Sequence, residues 1–81
     1  MKIYGYNEIF QIKKELEDIV KKINEGNDSS LINIANEMKK YIVAYDALLN
    51  KIGRFGTVND LSLIKGLTET EMLIKKTKNK L

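Results

Sequence analysis

The sequence predicts an all-α fold: an antiparallel two-helix hairpin followed by two shorter C-terminal helices, together a small helical bundle in a single domain spanning 1–81. Three observations carry that expectation. Apolar residues recur at alternating intervals of three and four in two separate runs, and no period-two alternation persists. No proline interrupts either run. Residues suited to helix caps stand at the ends of both.

The first run, Ile9, Ile12, Leu16, Ile19 and Ile23, predicts a helix over about 7–25, with Asn7 as its N-cap and Gly26-Asn27 as its stop. The second, Leu31, Ile34, Met38, Tyr41, Tyr45, Leu48 and Ile52, predicts a helix over about 29–52, capped by Asp28, Ser29 or Ser30. A link of a few residues folds the two back on each other, giving a hairpin over 7–52. The first stripe is narrow and flanked by Glu8, Lys13, Glu15 and Lys22, whereas the second is widened by Ala35, Ile42 and Leu49. So broad a face exceeds what one neighbour covers, so the second helix is expected to be central, its other side covered by the C-terminal third, a second copy of the chain or both, and a homodimer through this surplus face is the expectation.

The C-terminal third follows the glycine-bracketed turn Gly53-Arg54-Phe55-Gly56. Thr57 to Asp60 reads as the start of a short helix over about 58–65, with Gly66 as its stop. Thr68 and Glu71 have capping-box spacing, and Leu67 and Met72 fall at the staple positions. A fourth helix over about 69–79 is therefore expected, making a helix pair over 57–80. The net charge of +3 arises in this third alone, from Arg54, Lys65, Lys75, Lys76, Lys78 and Lys80 against Asp60, Glu69 and Glu71. Such an end can meet phosphates or an acidic partner, or simply complement a helix C-terminus.

Composition closes most routes to catalysis. The chain has no Cys or His, which excludes a disulfide framework, a Cys/His zinc site, a thiol nucleophile and a Ser-His-Asp triad. Glu8, Glu15, Glu17, Asp18 and Glu25 are spread around the first helix, and no Glu-x-x-His arrangement exists to hold a metal pair. Gly53-Arg54-Phe55-Gly56 lacks the strand and the Gly-Lys-Ser/Thr ending of a phosphate loop. No enzyme activity, cofactor or metal is expected. The start, Met1 to Glu8, has no apolar core of a secretory signal, and no stretch approaches the roughly 20 apolar residues that span a bilayer. A cytoplasmic protein without membrane attachment is the expectation.

Two stretches carry resemblances. The segment from Ile12 to Tyr45 resembles the small two-helix aspartyl-phosphate phosphatases of sporulation control, whose second helix carries Ser-Gln-Glu-Leu-Asp. Here that stretch reads Ala35-Asn36-Glu37-Met38-Lys39, so the apolar frame is kept while Ala, Asn and Lys stand at the Ser, Gln and Asp positions. A base where the family has an acid removes a residue the implied activity needs. Thr57 to Met72 resembles a helix-turn-helix of DNA-binding regulators, with Leu61, Ser62, Gly66, Leu67 and Met72 at framework positions. Lys65 and Lys75 depart from apolar positions of that framework, and Glu69 and Glu71 open the implied recognition helix among DNA phosphates.

By elimination, the expected function is stoichiometric, non-catalytic binding of a protein partner, as an inhibitor, adaptor or regulator. The expected contact surface is Tyr6, Phe10, Ile42, Val43 and Leu49. Tyr6 and Phe10 form an i,i+4 pair off the seam, continued by Ile3, and Val43 is apolar yet opposite the seam. The alternative is DNA binding through Lys75, Lys76, Lys78 and Lys80. A third reading places a small ligand, such as a nucleotide, beside Tyr41 and Tyr45, one turn apart in the core row.

Overall fold

In the computed structural model, which describes residues 3–26 and 28–81, the chain forms three helices: α1 (Tyr6–Gly26), α2 (Ser29–Ile52) and α3 (Leu61–Lys78). Asn27, half of the expected stop of the first helix, lies outside the described residues, as do Met1 and Lys2.

Helix α1 buries Ile9, Ile12, Leu16, Ile19 and Ile23, the expected row, together with Val20. Its start is not the expected one. Gly5 accepts the Ile9 amide through its carbonyl at 3.1 Å, and its own amide donates to Glu8 Oε1 at 2.8 Å. That is the reach-back half of a capping box, and it begins the helix ahead of Asn7. The reason is tertiary: Gly5 is held in a β-bridge with Thr57, and the Val58 amide donates to the Tyr4 carbonyl at 2.9 Å.

Helix α2 is capped by Asp28, whose Oδ1 accepts from the Ser30 amide at 2.9 Å and the Ser30 hydroxyl at 2.7 Å. The Ser30 hydroxyl, and then its amide, hold the Asp28 carboxyl below its ordinary range. The helix ends at Gly53, whose φ of 70° and ψ of 175° place it in a region only glycine occupies readily, with its amide bonded to the Leu49 carbonyl.

The expected pair of C-terminal helices is one continuous helix, because neither stop nor start operates. Asp60 is the N-cap, accepting from the amides of Ser62 and Leu63. Gly66 passes through as an ordinary helical residue, and Gly53 is the glycine with positive φ among those described. Thr68 Oγ1 donates backwards to the Ile64 carbonyl at 2.9 Å, and Thr70 Oγ1 to the Gly66 carbonyl at 2.8 Å, so these hydroxyls bond within the helix. Burial of Leu67 and Ile74 in the core holds the helix across this point. The helix-turn-helix resemblance is corrected with it, since Leu61 to Met72 contains no turn. A Cβ on Gly66 would meet nothing within 4 Å. Gly66→Ala is therefore expected to stabilise the fold by about 0.5–1 kcal/mol, seen as a raised midpoint in urea.

The middle helix is also not the one expected. Helix α1 packs against both others, whereas among described residues no Cα of α2 comes within 8 Å of one in α3. Ala35 and Leu49, part of the flank expected to need a second neighbour, are buried within this chain, and Ile42 is half-buried. Helices α2 and α3 thus flank α1. The outline is correspondingly long, 38 × 23 × 17 Å, with a radius of gyration of 13.0 Å, against about 12 Å expected for a compact chain of this length.

An anchor absent from the sequence expectations closes the bundle. Tyr4 is 1% exposed, and its hydroxyl bonds Thr68 Oγ1 at 3.1 Å and donates to the Glu71 carboxylate. The first described residues are thereby pinned to α3. Val58, whose amide holds the Tyr4 carbonyl, is also buried. Exposed ion pairs add Lys13 to Asp46 at 2.9 Å across α1 and α2, and Lys78 to Glu15 at 3.6 Å across α3 and α1.

Candidate functional site

Three surfaces bear the side chains singled out in the sequence. The first is at the end of the molecule where α1 begins. Tyr6 and Phe10 lie one turn apart, which stacks their rings with centroids 6.2 Å apart and planes at 12°. The 53–56 turn, held by the Gly56 amide on the Gly53 carbonyl, carries Arg54 and Phe55 to the same place. Tyr6, Asn7, Phe10, Arg54 and Phe55 line a groove of about 450 Å³, with no carboxylate among them. Phe55 is 100% exposed and Phe10 46%, and Ile3 is exposed as well. Isolated exposed apolar residues are ordinary in folded chains, but a groove lined by three aromatic residues and an arginine is not.

The other expected contact residues do not join this end. Leu49 is buried in the core rather than presented at the surface. Ile42 lies half-buried beside Glu17, Val20, Lys21, Asn24 and Glu25 of α1. Val43 is fully on the outer face of α2, 71% exposed. Phe55 and Arg54 are the functional candidates that sequence reading missed. The signal was there, because a phenylalanine between two glycines in a polar turn has no helix to bury it.

The second surface is a cleft between α2 and α3, whose Cα atoms stay more than 8 Å apart among the described residues. Glu37, Tyr41, Tyr45, Gly66, Glu69, Thr70 and Leu73 line about 360 Å³ of open space. Tyr41 and Tyr45 stack at 6.3 Å and 24°. Tyr45 is buried, and its hydroxyl bonds Thr70 Oγ1 at 2.6 Å. Tyr41 is half-buried and donates to Glu37 Oε1 at 2.9 Å. Its bond to the Glu37 carboxylate, then burial, raise the Tyr41 hydroxyl above its ordinary pKa. Burial raises that of Tyr45, against its bond with Thr70. Both are neutral phenols under physiological conditions. The expected tyrosine pair does border a cavity, but Glu37 and Glu69 make its lining acidic, which opposes an anionic nucleotide.

The third surface is the basic end of α3. Lys75, Lys76, Lys78 and Lys80 are exposed, and the first three occupy the last turns, where cations complement the helix dipole. Lys78 is already engaged by Glu15. Among the described residues, no group of three or more acidic, His or Cys side chains is placed to hold a metal ion, and no helix is long and apolar enough to cross a membrane. No family model, curated protein or solved structure matches the chain.

Proposed function

We propose that the protein is a small, non-catalytic helical binding protein that engages a protein partner stoichiometrically through the aromatic end formed by Tyr6, Phe10, Arg54 and Phe55. In this proposal α1 and α2 form an antiparallel hairpin whose closed end is remote from the binding surface, and α3 braces it. The observation that carries the proposal is Phe55, fully exposed on a turn fixed by Gly53 and Gly56, beside the stacked Tyr6 and Phe10. Aromatic side chains and arginine dominate the energetically decisive centres of protein interfaces. A groove with an arginine and no carboxylate favours a partner segment that presents an apolar anchor next to an acidic residue.

The outer strip of α2, Ile32 and Val43, supports a homodimer less well. With Ala35 and Leu49 covered inside the chain, little apolar surface remains there, whereas a stable interface buries about 800 Å² on each partner.

The test compares the wild-type protein with Phe10→Glu/Phe55→Glu as bait in cell lysate, with helicity checked by circular dichroism. One protein retained in equimolar amount by the wild type and lost by the double variant is the expected result. Arg54→Glu should weaken its retention more than Lys76→Glu does. Equal retention by the double variant overturns the assignment. Binding of duplex DNA at low salt, abolished by replacing Lys75, Lys76, Lys78 and Lys80, would favour the basic end instead.

A further inference from the structure

We infer that the cleft between α2 and α3 is a second, separate site that binds a small organic cation of the alkylammonium class. Its geometry supplies what such a cation needs. The stacked rings of Tyr41 and Tyr45 form one wall, and π faces attract ammonium groups at contact distance. Glu37 on α2 and Glu69 on α3 bring a carboxylate from each bank. Among the described residues no lysine or arginine lines the space, although the chain carries a net +3. A cation entering the cleft therefore meets two carboxylates and no basic side chain in its lining.

The floor of the cleft is preformed. Tyr45 is fixed by its bond to Thr70, and Thr70 in turn by the Gly66 carbonyl at 2.8 Å. The Tyr41 hydroxyl is fixed on Glu37. One oxygen of that carboxylate accepts the phenol, which leaves the other for a ligand. Gly66, with nothing within 4 Å of where its Cβ would stand, keeps the α3 bank low and the entrance open. Leu73 provides an apolar contact for the methylene stem. At about 360 Å³ the space sits at the lower end of the size range of small-molecule sites, which suits a stem of a few carbons.

The probes are n-butylammonium and 1,4-diaminobutane, with butyrate and AMP as anionic controls, each titrated into the 81-residue chain and followed by NMR. The expected result is saturable shifts confined to Glu37, Tyr41, Tyr45, Gly66, Glu69 and Thr70 with at least one of the two amines. Glu37→Gln/Glu69→Gln should weaken that binding about tenfold, and Tyr41→Leu should weaken it with the fold retained. Glu15→Gln, a surface change elsewhere, should leave it unaltered. Absence of saturable shifts with both amines overturns the assignment. So do shifts that persist in the double variant, or tighter binding of AMP. None of these readouts depends on the aromatic end, so the two proposals stand or fall apart.

Discussion

Leu16→Ala is expected to lower the stability of the fold by about 2–5 kcal/mol, the range for a buried leucine whose removal leaves a cavity that neighbours fill only in part. Leu16 has 0% exposure and sits midway along α1, the helix against which both others pack. A chain of this length has about 4–12 kcal/mol in total, so the loss takes a large fraction of it. Each kcal/mol corresponds to about 4–8 °C in melting temperature for a domain of this size, so the melt should move by at least about 8 °C. Val43→Ala is the matched control. Val43 is 71% exposed on α2, and its truncation should stay within about 0.5 kcal/mol. Thermal and urea melts followed by circular dichroism read both changes, and similar shifts for the two variants would refute the central position of α1.

Gly56→Ala should be the other severe substitution, for a different reason. A Cβ built on Gly56 lies 2.1 Å from the Ile52 carbonyl oxygen and 2.9 Å from its carbon. Both are backbone atoms at the end of α2, so no side chain can turn aside to make room. Either the last turn of α2 or the turn bonded from Gly56 to Gly53 has to move, and the Gly5–Thr57 bridge lies next to it. The expected cost is about 2–3 kcal/mol, with the clasp around Tyr4 loosened and Phe55 displaced. Gly5→Ala is the contrast. There the close atom is Glu8 Oε1 at 2.9 Å, the tip of a flexible side chain, so accommodation is cheaper. Denaturant midpoints of the two variants in parallel provide the check, and a loss at Gly56 no larger than at Gly5 would contradict the geometry.

Helices α1 and α2 were legible in the sequence because their inner rows are uniformly apolar and recur without a break. Helix α3 was not, because its inner row runs Ile64, Leu67, Glu71, Ile74, with Thr70 and Thr77 buried alongside. A carboxylate in that row, a glycine before it and a threonine at capping distance read locally as an end and a beginning. The long-range bond from Tyr4 to Glu71 reverses that meaning, since it gives the carboxylate a partner in the bundle. Local propensity could not show this, because the partner is 67 residues away. The same anchor explains why the broad face of α2 did not make it the middle helix: α3 is drawn to the start of α1 instead.

At the candidate site, the Tyr6–Phe10 pair was visible from its spacing, and so was the Tyr41–Tyr45 pair. What spacing could not supply was their company. Arg54 and Phe55 reach Tyr6 only because the 53–56 turn folds beside the start of α1. Glu69 joins Tyr41 only because α3 stays helical through Gly66.

The clasp at Tyr4 has a kinetic consequence. Its bond to Thr68 closes a loop of 64 residues, while α1 and α2 meet across a connection of a few. Contacts across such a span form later than local ones, so the first two helices zip together early and the third docks last. The reverse path favours release of α3 as a unit ahead of global unfolding. Amide exchange along Leu67 to Thr77 would then outpace that along Ile9 to Ile23, and proteases would find their first foothold in the final third of the chain.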